Sequence, residues 1–270
     1  MKGRVYIGTS GWNYKHWTNG RFYPPGLAQK NWLSFYAGRF GTVELNNTFY
    51  RLPSAETFAH WAATVPKEFI FATKASRFIT HIKRLKDPEE SVRRFLSRLS
   101  KLGKRSGPIL FQLPPQMKAN YERLDGLRRC VKRKKGLRVA LEFRHESWLA
   151  NEIYDLVENA GWTVCLADAP EFQREIPLLG PFCYIRRHGA TARYASCYSA
   201  AQLSDDAKFI TAIAGKGKDV YIYFNNDAEG YAIKNALTLV EMIPDKYLAP
   251  YGKPEVGGRR SEVGGRRSDL

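Results

Sequence analysis

Eight short segments rich in β-branched and aromatic residues, nearly all followed by a stretch of helical period, predict an α/β fold, a single (β/α)8 TIM-type barrel. Two further observations point the same way. Polar and charged residues recur near the C-terminal end of one strand after another, where such barrels keep their chemistry. No linker-like composition interrupts residues 1–250, and no GxGxxG follows any strand, which argues against a doubly wound open sheet. The barrel domain is therefore placed at residues 1–250 and a disordered tail at residues 251–270. The tail carries EVGGRRS twice in tandem, at 255–261 and 262–268, and its glycine-rich, charged composition gives it nothing to bury.

Arg4 to Ile7 opens the first strand, which ends in the glycine-bracketed turn Gly8 to Gly11. An aromatic loop with Tyr14, His16, Trp17, Phe22 and Tyr23 follows, and Asn31 to Arg39 places Trp32, Phe35 and Tyr36 on one helical face. Thr42 to Asn46 is the second strand, and Ser54 caps a helix running to about Val65. Phe69 to Lys74 is the third, followed by a loop with Thr80 and His81 and a helix opened by Asp87 and Pro88 in N-cap and N1 order. Pro108 to Leu113 is the fourth, stopped by Pro114 and Pro115, with a helix from Tyr121 to Arg133. Val139 to Phe143 is the fifth, and its helix, Glu152 to Asn159, is ended by Gly161. Thr163 to Asp168 is the sixth strand, and Ala169 to Pro181 is too proline-broken for a full helix. Phe182 to His188 is the seventh, with a helix from Ser204 to Ala214. Asp219 to Asn226 is the eighth, with a last helix from Gly230 to Met242.

The formal net charge is +17, and 13 of those charges fall in two stretches, Lys83 to Arg105 and Lys118 to Arg138. Such a balance favours polyanions. However, Lys101 to Arg105 and Lys132 to Lys135 fall at helix C-termini, where they complement the helix dipole and face the bottom of a barrel. Cys130, Cys165, Cys183 and Cys197 form no CxxC pair and no zinc-like spacing, so reduced thiols and a cytoplasmic location are expected. No apolar run reaches the roughly 20 residues of a membrane span, and no membrane partner is expected.

The stretch with most chemical content is VALEFRHESW, Val139 to Trp148. Side chains alternate along a strand, so Glu142 and Arg144 share the face opposite Leu141 and Phe143. A buried glutamate and arginine are costly unless they meet each other or a ligand. In a barrel, Thr9, Ser10, Glu44, Asn46, Lys74, Gln112, Glu142, Arg144, Asp168, Arg186, His188, Asn225 and Asp227 converge on one rim. Glu142 and Glu44 are the acid/base candidates and His188 a proton shuttle. Lys74, Arg144 and Arg186 suit a phosphate or carboxylate clamp. Asn46, Gln112 and Asn225 suit hydroxyls or a base edge. The loop side chains His81, Trp12, Tyr14, Trp17, Phe49, Tyr50 and Trp148 are candidates to line or stack on the ligand. Ser10 with His188 would be a nucleophile pair, but GTSGW is not a GxSxG elbow. His81, His145, His188, Glu44, Glu142, Asp168 and Asp227 are the metal-ligand candidates, but they lack HExxH-type spacing, and the neighbouring lysine and arginines would repel a cation. No cofactor and no metal site is predicted.

GTSGWNYKHW (8–17), VELNNTFYRLP (43–53), FATKASRFITHIKRL (71–85), ILFQLPPQ (109–116), ALEFRHESW (140–148), YIRRHG (184–189) and YIYFNNDAEGYAIKNA (221–236) resemble the YecE-like family, domain of unknown function seventy-two. The resemblance spans Gly8 to Leu248, leaves out the tail, and implies a TIM-type barrel without supplying a reaction. Members are structurally similar to xylose-isomerase-like and endonuclease-IV-like barrels, which hold divalent metals on His, Asp and Glu. The rim here is instead poor in histidine and rich in Arg, Asn and Gln, and the likeness is one of fold alone. Two functions follow as expectations. One is an enzyme acting on a small anionic, hydroxyl-bearing ligand, a sugar phosphate or nucleotide, as hydrolase, lyase or isomerase. The alternative is a nucleic-acid-binding protein or phosphodiesterase, with a metal as an option, using the basic helices at Arg129, Arg133 and Lys135 and the aromatic rim. The oligomeric state is not legible.

Overall fold

A computed structural model describes residues 2–132, 136–168, 172, 175–189 and 196–251. Eight strands run parallel: β1 (Val5–Thr9), β2 (Thr42–Leu45), β3 (Ile70–Lys74), β4 (Ser106–Gln112), β5 (Val139–Glu142), β6 (Thr163–Ala167), β7 (Phe182–Arg187) and β8 (Asp219–Phe224). The ladder passes from β1 to β8 and then through β7 to β2, a barrel open by one seam. That seam, between β1 and β2, is bridged by a side chain. The Tyr36 hydroxyl accepts the Thr9 N–H at 2.9 Å and donates to the Thr42 carbonyl at 3.1 Å. Gly8 permits the approach, because a Cβ there would lie 2.4 Å from Thr42 O.

Helices α1 (Trp32–Ala37), α2 (Asn47–Tyr50), α3 (Ala55–Thr64), α4 (Glu89–Leu99), α5 (Tyr121–Lys132), α6 (Asn151–Asn159), α7 (Ala200–Gly215) and α8 (Tyr231–Met242) cover the sheet. Ser54 Oγ caps α3 by accepting the Thr57 N–H. Pro88 rather than Asp87 is the N-cap of α4, and Asp87 instead takes a positive φ of 41°. The α7 helix starts ahead of the expected Ser204, because Ser199 and Gln202 form a reciprocal capping box. Among the described residues no helix follows β6. Residues 133–135 and the repeat-bearing tail beyond Tyr251 lie outside the described residues, and with them Arg133, Lys135 and the disorder expected of the tail.

Two apolar layers hold these elements. The larger packs the outer strand faces against the helices, with Phe58, Phe71, Phe95, Phe111 and Trp148 fully buried. The smaller fills the barrel with Ala72, Leu110, Ala140, Cys165, Phe182, Tyr184, Tyr221 and Tyr223. Small residues are placed where long ones must fit above them. Across the ladder, Ala72 stands opposite Glu44, and Ala167 opposite Arg186. No helix of the described residues is long and apolar enough to cross a membrane.

Candidate functional site

Strand periodicity carries Glu44, Glu142 and Arg186 into the C-terminal end of the barrel, where all three are at most 1% exposed. Arg186 is the hub. Its Nη2 and Nε donate to the two oxygens of Glu44 at 2.8 and 3.0 Å, and its Nη1 donates to Glu142 Oε2 at 2.8 Å. Glu44 also accepts from Ser10 Oγ at 2.8 Å and from the Tyr184 hydroxyl at 2.7 Å. Glu142 Oε1 accepts from Arg144 Nε at 2.6 Å and from Arg144 Nη2. Two carboxylates and two guanidiniums thus balance in a closed frame. Burial pushes both carboxyls up, and the guanidiniums outweigh it: Arg186 holds Glu44 below the usual carboxylate range, and Arg144 with Arg186 holds Glu142 well below it.

His188 stands at the edge of this frame. Its Nε2 lies 3.0 Å from Arg144 Nη2 and 3.3 Å from Arg186 Nη1. Guanidinium N–H groups can only donate, so Nε2 faces them as an acceptor, with Glu142 Oε1 3.7 Å away. The Asn225 amide nitrogen lies 3.2 Å from the other ring nitrogen, Nδ1. Burial and the Arg186 charge both lower the His188 pKa, in keeping with a neutral ring.

Lys74, at the end of β3, is the charge left over. No carboxylate of the described residues comes within 4.0 Å of its Nζ. The amine lies instead over the Phe49 ring, 4.2 Å from its centroid. Burial, reinforced by Arg186, brings its pKa down to about 7, although Glu142 and Glu44 pull the other way. His81, on a π-helical turn, Phe78–Ile82, packs nearly perpendicular to the Phe49 ring with centroids 4.8 Å apart. Burial, then the Lys74 charge, pushes His81 down to about 4. Asn46 donates to Ser10 O at 3.3 Å and keeps a buried, unpaired Oδ1. Half-buried Gln112, beside Glu142 in the ladder, and the half-buried Tyr14, whose hydroxyl donates to Ser10 O at 2.6 Å, complete the wall.

Several expectations change. Trp148 is no ligand platform: fully buried, it stacks on Phe143 at 5.2 Å and donates to Met117 O at 2.7 Å. Trp12 is buried edge-on against Trp61 at 5.2 Å, and Trp17 is sealed into the aromatic cluster of the first loop. Of the aromatics, Phe49 and Tyr50, the latter 74% exposed, remain at the mouth with Tyr14. Arg186 is engaged by two carboxylates, so the expected clamp loses its centre. Ser10 bonds Glu44 rather than His188. Asp168 ties the His188 N–H and the Tyr198 hydroxyl together, and Asp227 holds Trp17 Nε1 at 2.8 Å and His16. Among the described residues no three His, Cys, Asp or Glu side chains converge as a metal site would need. The sequence pointed to Lys74 only as an anion ligand. Its isolation from carboxylates is a matter of which residues meet across the barrel, and no local pattern reports it.

Beside the mouth, α3 and α4 and the loops before them enclose a groove of about 900 Å³ lined by Arg51, Lys83, Arg94, Arg98, Ser54 and Ser76, with Glu90 as its one acidic residue. Arg98 spans it by donating to Leu52 O and Pro53 O, both at 3.0 Å. Arg51 and Arg94 make no ion pair among the described residues.

Residues 6–256 match the family model described as protein of unknown function DUF72. UPF0759 protein YunF of Bacillus subtilis is 27% identical over 91% of this chain and 98% of its own length. Among solved structures, a DUF72 family protein of Thermotoga maritima is 30% identical, with a TM-score of 0.78 over 88% of this chain and 98% of that one. A DUF72 family protein of Enterococcus faecalis, 21% identical, superposes with a TM-score of 0.75 over 88% of this chain and 95% of that one, a likeness of fold. With its barrel and nearly its whole described length matched in this way, the chain belongs to the DUF72 family.

Proposed function

We propose that the protein is an enzyme whose barrel mouth binds a small anionic ligand bearing hydroxyl or carbonyl groups and moves protons on it through Lys74. One observation carries this reading: an amine without a carboxylate partner, titrating near neutrality, stands at the strand ends above a charge-balanced frame. Glu44 and Glu142 are then the electrostatic support that keeps Arg186 and Arg144 in place, and His188 joins that support rather than shuttling protons. Asn46 Oδ1 offers an acceptor to a ligand hydroxyl. The ligand's phosphate or carboxylate lies toward the basic groove, where Arg51 and Arg94 make no ion pair among the described residues. Sugar phosphates and nucleotides have this chemistry.

The test is thermal melting with glucose 6-phosphate, ribose 5-phosphate, AMP and inorganic phosphate, on the wild type and on Lys74→Met. At least one organic phosphate raises the melting temperature of the wild type, and the gain shrinks at least tenfold in apparent affinity in the variant. Equal stabilisation of both proteins sinks the reading. A second reading, nucleic-acid binding, is favoured by the groove together with the exposed rim residues Tyr50, Phe78 and Ile82. Its mark is oligonucleotide affinity that falls steeply with salt and weakens in Arg51→Glu.

A further inference from the structure

Lysines that bind anions stay protonated and sit among acceptors. Lys74 has the opposite surroundings: an aromatic face at 4.2 Å, the repulsion of the Arg186 guanidinium, and no carboxylate within 4.0 Å among the described residues. It is also reachable, being only half-buried at the mouth. An amine held neutral in such a place is a nucleophile, and the group a neutral amine attacks without further activation is a carbonyl carbon.

We propose that Lys74 forms an imine with an aldehyde or ketone ligand. The step rests on the barrel mouth being the ligand site. The Nζ lone pair attacks the carbonyl carbon, so a C–N bond forms while the C=O π pair moves to oxygen, which takes up a proton as nitrogen loses one. The hydroxyl then takes a second proton from solvent, the nitrogen lone pair closes to C=N, the C–O bond breaks, and the oxygen leaves as water, with the imine left protonated. Nothing is oxidised or reduced, and no co-reactant is needed. His81 borders the site, its ring packed against the same Phe49 ring that the amine covers. Its tautomer is set by Thr80. The Thr80 hydroxyl donates to Ser76 O at 3.3 Å, so its oxygen accepts from His81 Nδ1–H at 2.9 Å. Nε2 keeps its lone pair, and the proton that nitrogen sheds passes to water at the half-exposed mouth. The protonated imine that results sits beside Glu142 and Glu44, whose field favours a cation at this position.

The test uses the intact wild-type chain, limiting formaldehyde or glyoxylate, and cyanoborohydride to reduce any imine as it forms. Labelled lysines are then located by peptide mass spectrometry. At pH 7 a lysine of ordinary pKa is neutral about one time in a few thousand, and one titrating near neutrality about half the time. Lys74 is therefore labelled first, by a factor on the order of a hundred after allowing for its partial burial and for the lower nucleophilicity of a weaker base. The preference disappears near pH 10.5. Labelling at Lys74 no faster than at exposed Lys30 or Lys246 at pH 7 overturns the proposal. If that happens while organic phosphates still stabilise the wild type and not Lys74→Met, the imine falls and the ligand site stands. If Lys74 labels first but no phosphate binds, the nucleophile stands and the anionic ligand falls. The labelling itself does not depend on a variant folding, because it is done on the wild type.

Discussion

At the N-terminal end of the barrel Arg138 meets Asp219 at 2.6 Å and the Tyr221 hydroxyl at 2.5 Å, while the other Asp219 oxygen accepts the Arg4 N–H at 2.8 Å. Tyr6 stacks on Tyr221 beneath them, with ring centroids 4.5 Å apart. At the C-terminal end Glu44, Glu142, Arg144 and Arg186 form a larger version of the same thing, fully buried, with Lys74 standing next to it. Both ends hold arginine–carboxylate contacts with tyrosine hydroxyls attached. They differ in arithmetic. One cation and one anion cancel below, whereas above, two and two cancel and an amine remains. An ion pair inside a barrel is therefore no mark of a site by itself, since it can be a plug. The mark is the charge that the pairing leaves over, because only that group can change its protonation or its partner without dismantling the fold.

The sharpest way to break this comparison is Arg186→Met. Above, it leaves two carboxylates buried without their Arg186 donors, and breaking a buried pair from one side costs about 3–5 kcal/mol. For a chain of this size that is roughly 10 °C of melting temperature. Acid melting offers a second readout. Both carboxyls titrate lower in the folded chain than in the unfolded one, so their contribution is present above the unfolded carboxylate pKa and is lost as pH falls through the folded values. Arg186→Met flattens that acid limb. A variant within about 2 °C of the wild type would show that the frame contributes nothing and that its burial is incidental.

The charged face was legible from period alone. Glu142 and Arg144 lie two apart on a strand, and Glu44, Lys74 and Arg186 fall near strand ends in the same phase, so one rim followed from alternation. Partnership was not legible. Arg186 reaches across the barrel to Glu44, 142 positions away in the chain, and nothing near either residue announces it. Trp148 illustrates the same limit in apolar form. A tryptophan just beyond a strand end can rise into the mouth or fold beneath it, and the stack on Phe143 decides for the second. At α7, Ser199 and Ser204 both carry N-cap chemistry, and Gln202 closing the box on Ser199 settles the start. Where local chemistry decides, the sequence reading holds; where a long-range partner decides, it supplies candidates and no pairing.

Lys74→Met sharpens the comparison with an effect of opposite sign. The folded chain holds this amine at about 7, while an unfolded lysine keeps its usual value near 10.4. Between those two pH values the unfolded state binds more protons, so stability rises with pH across the window, and at neutral pH the buried amine is a burden. Methionine removes the burden and keeps the length of the side chain. The variant melts about 2–4 °C higher than the wild type at pH 7, and the difference narrows towards pH 10. Gain of stability with loss of ligand response is the signature of a group kept for chemistry. A destabilised variant would place Lys74 among the supports.

Arg138→Met makes the smallest change, and its smallness is what it tests. The arginine side chain is 43% exposed and Asp219 is 22% exposed, so water takes over most of what the pair supplies. Asp219 still accepts the Arg4 N–H, and Tyr221 keeps its stack on Tyr6. The loss is therefore held to about 1 kcal/mol or less, a shift of roughly 2–4 °C, and methionine can preserve part of the packing of the guanidinium over Phe182. Labelling of Lys74 and any ligand-induced stabilisation stay as in the wild type, because nothing at the mouth loses a partner. A change in Lys74 reactivity on cutting the bottom pair would mean that the two ends are coupled through the tyrosine layer between them, and the upper charge frame would then have to be treated as one with the lower.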